Sequence, residues 1–255
     1  MLKKRLIACL LWRDGAIVQS VNFNHTNIVG SALTAVDYFH IWGVDEIILL
    51  NVSRTEESKD EFLTVLGELS KRCFVPLSVG GWVRSLSDIR DCLNLGADKI
   101  TVNTPLHDDT EFVSNAIDRF GSQCVVASID VRGSDGSYQV WTDRGTADTG
   151  RYVEEWARRA EAIGVGEIFL TSIDRDGTQS GYDLELLRLV SGEVTVPVIA
   201  SGGAGGWNHL VDAIRCADIS GVSVANKLHH TQHSTKKAKD HMISAGIDVR
   251  RPVFD

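Results

Sequence analysis

Short apolar runs, many rich in β-branched residues, alternate along this chain with longer stretches whose apolar positions recur every three or four residues. The short runs are LIACLL (6–11), EIILLN (46–51), PLSVG (76–80), KITVN (99–103), VVASID (125–130), EIFLTS (167–172), PVIAS (197–201) and GVSVA (221–225). Near-continuous apolar runs of this length predict strands covered on both faces, as in a parallel sheet. The segments between them, such as ALTAVDYFHIWG and DLELLRLVSGE, carry helical spacing. Eight strand–helix units within residues 1–255 predict an α/β fold, a single (β/α)8 TIM barrel domain, rather than an open sheet.

The chain also echoes itself. VDEIILLNVSRT (44–55) matches VGEIFLTSIDRDG (165–177), setting Glu46 opposite Glu167. SVGGWVRS (78–85) matches ASGGAGGWNH (200–209), setting Gly80-Gly81 opposite Gly202-Gly203. Matched pairs lie about 120 residues apart, which predicts a half-barrel duplication with halves at about 1–122 and 123–240. Barrels gather their chemistry beyond the C-terminal ends of the strands. The glycine-rich stretches there (TSIDRDGTQSGYD, ASGGAGG and, beside them, VNTP) predict backbone cradles for phosphate on two sides of one mouth.

Composition narrows the classes. A net charge of -8 without a basic stripe argues against a nucleic-acid partner. Cys9, Cys73, Cys92, Cys124 and Cys216 lie far apart with no C-x-x-C pair, so free thiols in a reducing cytosol are expected. The opening MLKKRLIACLLW has an apolar stretch from Leu6 to Trp12 that Arg13-Asp14-Gly15 ends without a cleavage pattern. No run approaches the ~20 apolar residues of a bilayer span, and a cytoplasmic protein with no membrane partner is expected. His229, His230 and His233 include an i, i+4 pair, yet no carboxylate or cysteine nearby completes a ligand set. A polar helix start after the last strand is expected there, with no metal and no cofactor.

Two strand ends differ in a way that bears on chemistry. CLLWRDG leaves its strand through Leu11, whereas ASIDVRGSDG leaves through Asp130. ADKITVNT, FGSQCVVASID, GVGEIFLTSIDRDGTQSGYDLEL and VPVIASGGAG closely resemble the HisF family, the cyclase subunit of imidazole glycerol phosphate synthase, and the resemblance covers nearly the whole chain. It implies a lyase-type synthase subunit that forms a heterodimer with a glutamine amidotransferase (HisH-like) and binds a substrate with two phosphates, a ribulosyl aminoimidazole carboxamide nucleotide. It further implies that ammonia passes through the barrel core, and that aspartates ending strands one and five act as general acid and base.

Carried over residue by residue, the resemblance makes Asp130, Thr171 and Asp176 catalytic candidates and puts Leu11 where the strand-one aspartate should be. Removing one positioned acid–base group costs ~10²–10⁴-fold in rate, so loss of the cyclase reaction is expected. Asp14 nearby reads as a turn residue, and Asp174 as a loop residue or a direct contact. Gly177, Gly202, Gly203, Ala225 and Asn226 match one phosphate site; Gly81, Asn103 and Thr104 match the other. Gln19 replaces a lysine, Asn51 an aspartate and Trp82 a phosphate-turn glycine, so the substrate is expected to differ; the site beside Trp82 is expected to be altered or closed, and the first, with Asn226 for a usual serine, to work. Arg5, Glu46, Lys99 and Glu167 match a charged ring that gates ammonia, and Asp98 and Gln123 match positions facing the glutaminase. Paralogues with CLL in place of CLD resemble this chain and are associated with amidation of nucleotide sugars for surface polysaccharide biosynthesis. Three readings stay open: an ammonia-relaying subunit serving a sugar-modifying synthetase, an authentic histidine-biosynthesis cyclase, and a non-catalytic activator of the glutaminase.

Overall fold

The computed structural model of the chain describes residues 2–41, 43–229 and 234–251, without the side chains of His25, Thr26, His40, Ile41, Asn226 and His229. In chain order the first half contains β1 (Arg5–Arg13), β2 (Ala16–Val21), β3 (His25–Gly30), α1 (Ala32–Ile41), β4 (Glu46–Asn51), α2 (Ser58–Leu69), β5 (Leu77–Gly80), α3 (Leu86–Asn94), β6 (Lys99–Val102), α4 (Thr104–Asp108) and α5 (Thr110–Phe120). The second contains β7 (Val125–Ser134), β8 (Ser137–Thr142), β9 (Ala147–Tyr152), α6 (Val153–Ile163), β10 (Glu167–Ser172), α7 (Leu184–Glu193), β11 (Val198–Ser201), α8 (Trp207–Cys216), β12 (Gly221–Val224), α9 (Asn226–His229) and α10 (Ser234–Ser244).

Eight of these strands close a ring. The order β1-β4-β5-β6-β7 continues through β10, β11 and β12 back to β1, and every pairing within it is parallel. This is a (β/α)8 barrel. Closure leaves no edge on the ring, and each strand buries both faces. One apolar layer lies between the strands and the outer helices; α6, for instance, packs through Val153, Trp156, Ala157 and Ala160, the i, i+3, i+4, i+7 stripe of an amphipathic helix. A second, separate cluster fills the barrel interior with Ile7, Cys9, Ile48, Val126, Phe169 and Ile199. Near the base, the fully buried Lys239 of α10 bonds Asp45 at 2.6 Å, and Arg250 bonds the same carboxylate at 3.0 Å, tying the C-terminal segment to the start of β4.

Four strands lie outside the sequence expectation. β1 and β7 run on past the barrel rim and fold back as antiparallel hairpins, β1–β2–β3 and β7–β8–β9. Asp14-Gly15 and Asp135-Gly136 make the first turn in each, all four residues with positive φ, the conformation that suits tight hairpins. The two halves thus share an insertion as well as a strand order. Register also corrects one detail of the repeat. Leu50 pairs with Gly80, and its counterpart Thr171 pairs with Ser201. The structural partners are therefore Gly81 with Gly202 and Trp82 with Gly203, one residue away from the match made by similarity.

Among the described residues no helix is long and apolar enough to cross a membrane. The cysteines are free thiols, with Cys9, Cys92 and Cys124 buried.

Candidate active site

The loops above the strand ends enclose a cavity of about 410 Å³. Asp130, Thr171, Asp176, Gly177, Gly202, Gly203, Ala225, Gly81, Asn103, Thr104 and Leu11 all line it. The Asn226 side chain lies outside the described residues, as do His230, His233 and the His229 side chain.

Asp130 ends the barrel part of β7, buried beside Thr171 on β10. It accepts a hydrogen bond from the Asn103 amide at 3.1 Å. Burial, joined by the charge of Asp176, pushes its carboxyl up to about 7, only partly offset by a hydrogen bond with Thr171. A carboxyl with that pKa exchanges protons readily near neutral pH, the property of a general acid–base. Asp176 is held by the Ser20 hydroxyl of the first hairpin and by the Phe23 backbone N–H. Burial raises its carboxyl too. Cys9, beneath them, is pushed up to about 12 by burial and the nearby aspartates, which keeps its thiol protonated.

The strand-one position opposite carries no such group. Leu11 pairs with Leu50 in the ring, as Asp130 pairs with Thr171. Asp14 does not substitute for the missing carboxylate: it sits exposed in the hairpin turn, its N–H donating to the Ser53 hydroxyl at 3.0 Å. Asp174 also faces away, accepting from the Gly133 N–H at 3.0 Å and from Arg132 at 3.3 Å. It anchors the β10 loop to β7. Asn51 builds its own loop, accepting from the Ser53 N–H and donating to Ser58. Gln19 pairs with Asn27 across the hairpin, and it is its neighbour Ser20 that lines the cavity.

The two glycine turns differ. Gly203 has φ 97°, and a Cβ there would meet the Gly181 carbonyl oxygen at 2.1 Å, so only glycine fits. At the equivalent place Trp82 has φ 59°. Its indole N–H donates to the Ser53 carbonyl at 3.1 Å, and the ring lines the cavity. On that side Asn103 is engaged by Asp130, while Thr104 Oγ1 accepts from the Asp143 N–H at 3.3 Å. Two of the three residues predicted for the phosphate site there, Asn103 and Thr104, thus have partners in the protein.

The barrel's other end carries the charged quartet. Arg5 bonds Glu46 at 2.7 Å and also bonds Glu167. Lys99 bonds Glu46 at 3.0 Å and Glu167 at 2.8 Å. The four make a closed ring of alternating sign. Burial alone would raise the Glu167 carboxyl, but Arg5 and then Lys99 outweigh it and hold it below its usual value. Asp98 and Gln123 are exposed just before β6 and β7, on the same end. Between ring and cavity stands the apolar interior cluster.

Sequence reasoning did not pick out Ser20, Phe23, Arg54, Arg84 or Arg144 as cavity-lining groups. The Asp-Gly turns were the available signal for the hairpins that bring Ser20, Phe23 and Arg144 in.

Fold and site together define a (β/α)8 barrel protein with its cavity on the strand C-terminal face. The family description "Histidine biosynthesis protein" matches residues 5–234. The chain is 44% identical to the "Imidazole glycerol phosphate synthase subunit HisF" of Caulobacter vibrioides (strain NA1000 / CB15N) over 252 residues, 98% of this chain and 97% of that protein. It is 41% identical to the "Putative imidazole glycerol phosphate synthase subunit hisF2" of Vibrio vulnificus (strain YJ016) over 250 residues, 98% of this chain and 92% of that protein. The chain belongs to the HisF family.

Proposed function

We propose that the chain receives ammonia at the charged ring from a glutamine amidotransferase subunit and passes it through the barrel interior to a phosphorylated acceptor in the cavity. We further propose that the acceptor is a nucleotide sugar, amidated with the help of a separate synthetase, and that imidazole formation has been lost. The observation that carries this reading is the placement of Leu11 at the ring position equivalent to Asp130. Ring closure to imidazole needs proton transfer on both sides of the condensing nitrogen, and the strand-one position here is hydrocarbon. Asp130 and Asp176 stand together and serve one flank. A single acid–base centre suits amidation, where one proton leaves the attacking nitrogen while the separate synthetase activates the oxygen that departs.

The route for ammonia has physical support. Ile7, Cys9, Ile48, Val126, Phe169 and Ile199 make the interior between ring and cavity apolar, a setting that favours neutral ammonia over an ion. The ring at its base can move one side chain while the remaining charges stay paired. A structural plug would serve as well made of apolar residues, since a buried ion pair gives no more stability than good packing.

A cyclase reading has its own support in the retained Asp130, Thr171 and Asp176 and in the similarity to the Caulobacter protein. The experiment that separates them supplies the chain with its glutamine amidotransferase, the sugar synthetase and glutamine labelled with nitrogen-15 in the amide. Label in a nucleotide sugar supports the proposal. Label in an imidazole product overturns it, and stimulated glutamine hydrolysis with no labelled product would assign the chain to activation of its partner alone.

A further inference from the structure

Four arginines line the cavity: Arg13, Arg54, Arg84 and Arg144. Arg13 pairs with Asp14 at the hairpin turn. Arg84 and Arg144 converge on Trp82, and Arg54 lines the same cavity. Arg144 lies over the indole with its guanidinium carbon 5.2 Å from the ring centroid, and Arg84 lies 5.9 Å from the same centroid. Arg144 donates to the Ser53 carbonyl at 2.8 Å, the acceptor that Trp82 also uses, and to Asp143 at 2.8 Å. Its Nε is buried without a hydrogen-bond partner among the described residues. Neither Arg54 nor Arg84 has an ion-pair partner among them.

The backbone places this group at a cost. Asp143, Arg144 and Gly145 all have positive φ, at 47°, 57° and 72°, a conformation that is unfavourable for a non-glycine residue. Such strain persists where the surroundings impose it and clusters at ligand clamps. Burial, and behind it the like charges of Arg54 and Arg84, hold the Arg144 guanidinium below its ordinary pKa despite Asp143. Three cations with one carboxylate, in a chain of net charge -8, leave a local excess that a bound anion would relieve. Guanidinium groups suit phosphoryl oxygens, which they bind in pairs of parallel hydrogen bonds.

We propose that Arg84 and Arg144, seated on the Trp82 indole, form with Arg54 an anion subsite that takes a phosphoryl or diphosphoryl group of the acceptor. Side-chain guanidiniums here replace the backbone cradle that Trp82 displaces, while Gly202 and Gly203 keep a backbone cradle across the mouth. The inference rests on reading the cavity as an acceptor site and is independent of where the nitrogen comes from.

The test follows Trp82 itself. The full chain, carrying nitrogen-15 in its tryptophan side chains, is titrated with inorganic pyrophosphate and, separately, phosphate. The Trp82 indole resonance is identified by its loss in Trp82→Phe. It should shift saturably, and the Arg54→Ala/Arg84→Ala double variant should need at least about tenfold more anion, the loss expected for removing a charge-assisted hydrogen bond. Both arginines are exposed, so truncation leaves no buried hole, and Arg158→Ala on the outer helices should titrate like the unmodified chain. Tighter binding of pyrophosphate than of phosphate would mark a diphosphoryl group, and the reverse a monoester. An unmoved Trp82 resonance, or a double variant that titrates like the unmodified chain, overturns the subsite. No ammonia transfer enters this readout, so its failure is distinct from failure of the amidation reading.

Discussion

Leu11 and Asp130 hold equivalent places in the two halves of the barrel ring. Leu11 pairs with Leu50 on one side and Val18 on the other, Asp130 with Thr171 and Trp141. The same backbone position therefore delivers a hydrocarbon wall in one half and a proton-exchanging carboxyl in the other.

That carboxyl makes stability depend on pH. Asp130 has a folded pKa of about 7 against an ordinary 3.8. A raised acid pKa means the folded state holds its proton more tightly than the unfolded state. The favourable contribution is full below pH 3.8 and is lost as pH rises toward 7. Asp130→Asn removes this dependence. Thermal denaturation should show the variant close to the unmodified chain at acid pH and more stable than it at alkaline pH, with nitrogen transfer reduced. Parallel pH profiles for the two would contradict the assignment.

The charged ring gives the opposite sign. Glu167 sits below its usual value of 4.5, so its contribution is present above that pH and is lost as pH falls through the lower folded value. Glu167→Ala leaves Arg5 and Lys99 sharing Glu46. The variant should lose about 2–3 kcal/mol in denaturant unfolding, at or just below the ~3–5 kcal/mol of a fully buried pair, because Arg5 and Lys99 keep 25% and 21% side-chain exposure. Its acid limb should be flatter. Transfer of labelled nitrogen from glutamine should fall in this variant and in Lys99→Ala, whereas transfer from added ammonium salt should persist. Equal loss with both nitrogen sources would rule out a gate.

Gly203 offers a test of the remaining cradle. Gly203→Ala forces a Cβ toward the Gly181 carbonyl at 2.1 Å and a φ of 97°. The expected cost is about 2 kcal/mol in unfolding, together with weaker binding of phosphorylated ligands. An unaltered phosphate affinity, measured by calorimetry, would place the cradle elsewhere.

Much of this architecture could be read from the chain because its signals are local. Continuous apolar runs such as EIFLTS mark buried parallel strands, and β10 begins and ends where that run does. The ring of Arg5, Glu46, Lys99 and Glu167 was legible through the resemblance to HisF proteins, while the repeat itself matched only Glu46 with Glu167. The hairpins were not, although Asp14-Gly15 and Asp135-Gly136 are hairpin signals. β3 (HTNIVG) and β9 (ADTGRY) are polar, lack strict alternation, and are held by pairing rather than by burial. The arginine group was illegible for a different reason: Arg54, Arg84 and Arg144 come from three separate loops. Their meeting depends on the second hairpin folding over Trp82, and no spacing along the chain announces it.

The measurement that bears most directly on the account mixes the purified chain with the family's ribulosyl aminoimidazole carboxamide nucleotide and excess ammonium salt, following substrate loss spectroscopically. Ammonium bypasses the glutaminase, so the barrel's own chemistry alone is read. The account predicts no turnover by the unmodified chain and a gain in Leu11→Asp of about 10²-fold or more over background, the scale of one restored acid–base group. Turnover by the unmodified chain that Leu11→Asp leaves unchanged would contradict it and return the protein to imidazole formation.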